Sequence, residues 1–209
     1  MHRPNVRAHR RPSHRAARTA AAISLAVLLG ASLSACSDDD GEPDASSPET
    51  STGAGVDAPA PVETVAKVGE VVGGLSGPRR ARLKAHVTEV VDAWIDAAYL
   101  GDYPRTDFED AFPGFSDGAA ADARTDSALM SNEPVAADLD EVVALQRRLT
   151  IDALAPGGRA VGVTARVVLT MRLSGEVNRK ERVSGSLFMT YRDGDWQVFG
   201  YDVTRGRAR

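Results

Sequence analysis

The clearest pattern along the chain is a two-residue alternation of apolar and polar positions in its last third. Residues 160–173 alternate from Val161 to Leu173, with arginine and threonine at most of the intervening positions. This period predicts a strand with one buried face. Residues 142–153, 179–191 and 196–204 predict three more strands. Because the intervening turns are short, neighbouring strands are expected to be antiparallel.

Apolar residues ahead of these strands follow the spacing of a helix. Ser76-Gly77-Pro78 is a helix-start signal. The apolar face that follows, spaced by 4, 3, 4 and 4 residues, is Leu83, Val87, Val90, Trp94 and Ala98. Residues 65–75 also fit a short amphipathic helix, and residues 119–130 fit another helical segment. The predicted fold class is therefore α+β, with N-terminal helices packed on a strongly bent antiparallel sheet of about four strands.

The start of the chain has the features of an export signal. Residues 1–35 contain six arginines and no acidic residue, and they end in a weakly apolar run of about 16 residues. This run is shorter than the roughly 20 residues that span a bilayer. It ends Leu33-Ser34-Ala35-Cys36, which resembles the lipobox of bacterial lipoproteins at all four positions. The resemblance implies cleavage before Cys36 and a diacylglycerol on its sulfur, while Arg10-Arg11 leaves the general secretory and twin-arginine routes open.

Residues 36–64 predict a tether. They contain eight acidic residues, no basic residue, four prolines and no aromatic residue, so they cannot bury enough apolar surface to fold. A coil of this length would average roughly 30 Å end to end. Residues 65–209 contain all eleven aromatic residues and form the predicted folded domain. The expected location is the extracytoplasmic face of the cell membrane, with the diacylglycerol as the anchor.

Composition excludes several kinds of site. The chain has one cysteine and four histidines, three of them in the N-terminal 14 residues, so disulfides and multi-histidine metal sites are excluded. A net charge of −4 argues against nucleic-acid binding. We expect no cofactor and no metal. His86 shares a helix face with Leu83, Val90 and Trp94, which favours a packed histidine over a catalytic base.

The whole domain resembles the nuclear transport factor 2-like superfamily over about residues 78–205. The resemblance depends on the helices followed by a sheet that ends in Gly194-Asp195-Trp196-Gln197-Val198. The domain is similar to Mce-associated proteins and anchored lipoproteins of high-GC Gram-positive bacteria (actinobacteria). The richness of the chain in alanine and arginine also suggests such an origin. The resemblance implies a cone that holds a small apolar ligand or a partner peptide, and an envelope or lipid-transport protein as a possible partner.

Two functions follow as the main hypotheses, and a third, a purely structural envelope protein with a filled cone and a binding outer sheet face, is hard to distinguish from the first. The first is a non-catalytic binding or accessory module, for which the pocket candidates are Trp94, Tyr99, Phe108 and Tyr201. The alternative is a secreted isomerase, dehydratase or cyclase that uses a carboxylate in the cone, with Asp202 as a weak candidate base. The strand pattern leaves open which way Asp202 points. A filled interior with Asp202 outside would argue against the enzyme.

Overall fold

The structure is a computed structural model that describes residues 61–208. In chain order its strands and α-helices are β1 (Val65–Gly73), α1 (Gly77–Tyr99), α2 (Asp117–Thr125), α3 (Ser127–Met130), β2 (Leu139–Ala155), β3 (Gly162–Gly175), β4 (Arg179–Arg192) and β5 (Asp195–Arg207). Short 3-10 turns at Glu133–Asp138 and Pro156–Gly158 lead into and out of β2. Pro156–Gly158 includes two glycines with positive φ angles, 61° and 76°, a conformation that glycine adopts without steric cost.

The dominant element is one mixed sheet of five strands in the order β1-β2-β3-β4-β5. β1 pairs with β2 in parallel, and the other neighbours are antiparallel. The predicted fold class is therefore wrong, because it had about four strands, all antiparallel. The error comes from residues 65–75, which were predicted to form a helix. They instead form β1 and the start of the loop that leads to α1.

A bulge explains why β1 was mistaken for a helix. The register of β1 on β2 shifts between Val68 and Val71. Ala66, Val68 and Val71 are the partly buried residues of this strand, so the inward spacing is two residues and then three. That change of phase imitates a helical repeat, although the strand period holds on each side of the bulge.

The core lies between the inner face of the sheet and α1. α1 covers the span predicted for it, and its buried face includes Val87, Val91 and Trp94. The alternation predicted in β3 is also seen, since Val163 and every second residue through Leu173 are buried. Leu169 and Met189 are fully buried against the same cluster as Trp94. Apolar side chains therefore fill the space in which a ligand-holding cone was expected.

Two ion pairs join α1 to the sheet. Arg147 on β2 donates to Asp92 and Asp96 on α1, each over 2.8 Å, and the Thr64 hydroxyl also donates to Asp92. The arginine side chain is 10 % exposed, whereas the two carboxylates are 31 % and 57 % exposed. Because one guanidinium bridges two carboxylates on successive turns of α1, the contact fixes the helix over β2 while leaving the carboxylates partly in water.

At Gly185, the backbones of β4 and β5 approach each other closely, and a substitution tests this contact. A Cβ atom at this position of β4 would overlap the Asp202 carbonyl oxygen and lie 2.7 Å from the Val203 Cα of β5. Since neither backbone atom can move cheaply, Gly185→Ala is expected to lower the free energy of unfolding by about 2 kcal/mol. Gly206→Ala is the control, because its Cβ would meet nothing within 4 Å. Urea unfolding measures both, and equal midpoints would contradict this account of the contact.

Candidate functional site

The predicted lipidation residue, Cys36, lies outside the described residues, as do the predicted signal peptide (residues 1–35) and nearly all of the tether (residues 36–64). The described part of the chain begins near the end of that tether, at residue 61. Lipidation of Cys36 and anchoring through it therefore stay predictions. The candidate residues of the folded domain can all be placed.

A bulge in β5 decides the orientation of Asp202. Phe188 pairs with Gly200 while Met189 pairs with Val198, so Phe199 is the extra residue. Trp196 and Val198 are buried before the bulge, and Val203 is buried after it. Asp202 is exposed on the outer face, opposite Ser186. The argument that burial would make this carboxyl a base therefore does not apply to Asp202.

Trp94 and Tyr99 are packed residues of the core. Both are fully buried, and their rings meet edge to face at 5.5 Å between centroids. The Trp94 indole donates to the Met130 carbonyl over 3.2 Å, and the Tyr99 hydroxyl donates to the Leu129 carbonyl. Burial raises the pKa of Tyr99. Both polar groups are thus used to hold α3 against α1.

Phe108 and Tyr201 have different polar partners. The Arg105 guanidinium sits 4.1 Å from the centre of the Phe108 ring. The Tyr201 hydroxyl donates to Asp126 over 2.8 Å, and desolvation together with this hydrogen bond raises the pKa of Tyr201. Trp94, Tyr99 and Phe108 belong to the core cluster and Tyr201 packs against it, so the four pocket candidates named from the sequence are packing residues.

A polar cluster that the sequence analysis missed is buried at the end of β5. Glu181 lies between Arg179 and Arg205, and the side chains of Glu181 and Arg205 are 6 % and 8 % exposed. Arg205 also donates to the Asn132 side chain over 2.7 Å and to the Ser131 carbonyl. Asn132 in turn donates to the Tyr99 carbonyl over 2.8 Å. These contacts give the charged groups hydrogen-bond partners within the domain. We therefore interpret the cluster as one that stabilises the fold.

The surface site with the most suitable lining for a ligand lies beside the first turns of α1. This site, the basic pocket, has a volume of about 410 Å³. Its apolar lining is Leu75, Leu83, Ala160, Tyr191 and Trp196, and its basic lining is Arg79, Arg82, His86 and Arg159. Tyr191 packs edge to face on Trp196, with 5.5 Å between ring centroids. An apolar floor is thus bordered by cations.

The arginines of the basic pocket have no carboxylate partner, although Glu89 and Asp195 line an adjoining space that shares His86 and Trp196 with it. No carboxylate is among its lining residues, and Arg79, Arg82 and Arg159 form no ion pair with any residue between 61 and 208. Arg79 is positioned by donating to the Gly158 carbonyl over 2.7 Å. The first turn of α1 has no acidic residue, although a helix N-terminus favours anions. These features make the pocket strongly attractive to a negative group.

His86 has a different position from the one predicted. It is exposed and borders the basic pocket, so the expectation of a packed histidine is wrong. The helical spacing was right, but the buried face of α1 turns towards Val91 and Ile95 and away from His86. The sequence did contain a signal for the pocket, because Arg79, Arg82 and His86 recur every three or four residues along one helix face.

Comparisons with known proteins add no assignment: no protein-family model, curated protein or solved structure matches this chain. Within residues 61–208, no group of three or more histidine, cysteine or acidic side chains is arranged to hold a metal ion. None of the helices in that part of the chain is both long enough and apolar enough to cross a bilayer. The candidate site therefore depends on the geometry of the basic pocket alone.

Proposed function

We propose that the protein is a membrane-anchored extracytoplasmic lipoprotein whose folded domain is a non-catalytic binding module. Its ligand is an amphiphile with one anionic head, a carboxylate or a phosphate, and an apolar body. The observation that carries the proposal is the basic pocket, in which three arginines without carboxylate partners border an apolar floor. The anchoring part depends on Leu33-Ser34-Ala35-Cys36.

The lining of the basic pocket matches the two halves of such a ligand. Guanidinium groups bind carboxylates and phosphates in a planar, bidentate geometry. Tyr191, which is 51 % exposed and packs on the nearly buried Trp196, offers accessible apolar contact. A volume of about 410 Å³ lies within the range of small-molecule sites, roughly 300–1,000 Å³.

The placement of the arginines also supports binding over a purely structural role. Arg79 and Arg80 lie in the first turn of α1, where the helix dipole disfavours an exposed cation by about 0.3–1 kcal/mol. Arg82 and Arg159 also make no side-chain hydrogen bond within the described residues. These arginines therefore contribute little to the fold, and an anionic ligand would supply the missing partner.

A binding experiment with matched ligands tests the proposal. Palmitate and lysophosphatidate are expected to bind the purified protein at least tenfold more tightly than palmityl alcohol, which has an apolar chain but no charge. Arg82→Gln combined with Arg159→Gln is expected to remove that preference, because hydrogen bonds to charged groups contribute about 1.5–3 kcal/mol each. Displacement of a fluorescent fatty acid measures all three affinities.

The control pair is Arg148→Gln with Arg172→Gln. Both arginines lie on the outer face of the sheet, where Arg148 pairs with Val168 and Arg172 with Lys180. The control pair is expected to leave the affinity for palmitate unchanged. Equal binding of palmitate and palmityl alcohol, or an equal loss in the control pair, would contradict the assignment of the pocket.

A further inference from the structure

Exposed apolar side chains collect at one end of the folded domain. This end, the tip, is where β1 ends, α1 begins, β2 turns into β3 and β4 turns into β5. The register joins Val72 to Leu154, Leu154 to Gly162 and Gly162 to Thr190. Of the eight large apolar residues exposed within residues 61–208, five lie at or near the tip: Val72, Leu154, Val161, Tyr191 and Phe199.

Three of these residues border one hollow on the outer face of the sheet. Val72, Leu154 and Phe199, together with Phe188, line a space of about 390 Å³, and the charged residues of its lining are Glu70 and Asp152. Its floor includes Gly162, which has no side chain to fill it. The Phe188 and Phe199 rings are 6.5 Å apart, and Phe199 is turned outward because it is the extra residue of the β5 bulge. Exposures of 51–58 % for Val72, Leu154 and Phe199 leave this apolar surface in water.

Basic residues outnumber acidic ones on the elements that meet at the tip. Arg79, Arg80, Arg82 and Lys84 lie at the start of α1, Arg159 lies in the β2–β3 turn, and Arg192 ends β4. The carboxylates of the tip are Glu70, Asp152, Asp193 and Asp195. Asp152 is already paired with Arg166. Cations therefore outnumber the remaining carboxylates by two to one, six against three.

We propose that the tip inserts into the interface of an anionic bilayer. Exposed apolar side chains among arginines are the combination that binds such a surface, since apolar burial and attraction to anionic lipids act together. Charge complementarity identifies the partner as an anionic bilayer. Its anionic headgroups match the arginines, while the boundary between headgroups and acyl chains accepts Val161, Tyr191 and Phe199. The inference rests on the proposed anchoring. Insertion of the tip would open the basic pocket towards the lipid.

The test uses residues 36–209, the predicted mature chain, with Cys36→Ser, so that both the lipid anchor and the basic, apolar residues 1–35 are absent. The vesicles are phosphatidylcholine with or without 30 % phosphatidylglycerol. Sedimentation is expected to show binding only when phosphatidylglycerol is present. Arg80→Gln and Arg192→Gln are each expected to weaken it about fivefold, as follows from about 1 kcal/mol per basic residue near an anionic surface. Failure to bind either vesicle would overturn the proposal.

Val72 and Val65 provide a matched pair of variants on β1. Val65 is 71 % exposed and Val72 is 56 % exposed, but only Val72 is at the tip. Val72→Asp is expected to weaken binding about tenfold or more, whereas Val65→Asp adds the same charge and is expected to weaken it less than threefold. Equal losses would overturn insertion by the tip. Circular dichroism of both variants establishes that each is folded.

A fluorescent label gives an independent readout of depth. Since Cys36 is the single cysteine, Cys36→Ser leaves a chain in which Val161→Cys or Val65→Cys can be labelled specifically. An environment-sensitive dye at position 161 is expected to shift to the blue on anionic vesicles, and the same dye at position 65 is not. A shift at 65 alone would overturn the proposal. The palmitate assay contains no vesicles, so its outcome is separate from this one.

Discussion

Replacing Arg205 by methionine is expected to lower the free energy of unfolding by about 3 kcal/mol, one of the largest effects of any single substitution in the domain. Arg205 and Glu181 are almost fully buried, and they form an ion pair. Without Arg205, the Asn132 side-chain oxygen and the Ser131 carbonyl also lose their donor. The cost comes from leaving buried polar groups unpaired.

Two further variants separate this account from a general effect on β5. Arg207→Met removes an exposed arginine from the same strand and is expected to change stability by less than about 0.5 kcal/mol. Combining Glu181→Met with Arg205→Met removes both charges and is expected to be no worse than Arg205→Met alone. Urea unfolding measures all three. If the double variant lost as much free energy of unfolding as Glu181→Met and Arg205→Met lose together, the account of a buried pair would be contradicted.

Replacing Cys36 by serine, in a chain whose residues 1–35 are exchanged for a signal peptide that is cleaved without lipidation, is expected to move most of the protein from the membrane fraction to the soluble fraction. Two acyl chains contribute about 0.8 kcal/mol per buried methylene and hold a protein stably, and serine cannot form the thioether. Washing with 1 M salt screens the arginines of the tip, because the Debye length falls to about 3 Å. Membranes of the producing cells should therefore retain only the lipid-anchored form.

The control is Ser37→Ala, which changes the neighbouring position and keeps the cysteine. It is expected to sediment with membranes as the unaltered protein does. Immunoblotting of the washed fractions gives the comparison. If the serine variant remained in the salt-washed membranes in the same proportion as the control, anchoring through Cys36 would be wrong.

Regular alternation and helical spacing made much of the secondary structure predictable. β3 has no bulge that interrupts its pairing with β4, so its inward positions could be identified from Val163 to Leu173. α1 likewise follows one apolar stripe from a proline start. Where one period persists over several turns or residues, burial of one face determines the element.

Bulges account for what the alternation could not predict. The shift near Gly69 gave β1 a spacing that was interpreted as a helix. The parallel pairing of β1 with β2, which contradicts the predicted fold class, was therefore not predicted. The bulge at Phe199 reversed the parity of β5, so the pattern could not show that Asp202 points outward. A single added residue exchanges the two faces of a strand.

The candidate site depends on contacts between distant segments. The basic pocket joins α1, the β2–β3 turn and the β4–β5 hairpin, and local patterns do not state which segments meet. Two of its three arginines, Arg79 and Arg82, stand out in the sequence within a short basic run that ends at Lys84. The aromatic residues named as pocket candidates were a reasonable choice for a hollow sheet, but Trp94 and Tyr99 are fully buried core residues here.

Native mass spectrometry of the protein extracted from its own membranes tests the central claim most directly. The predicted result is a chain that begins at Cys36, carries a diacylglycerol on that residue and retains an anionic amphiphile that is lost from the Arg82→Gln and Arg159→Gln variant. A chain that begins at Met1 with a free thiol and retains no amphiphile would contradict both the anchor and the binding module.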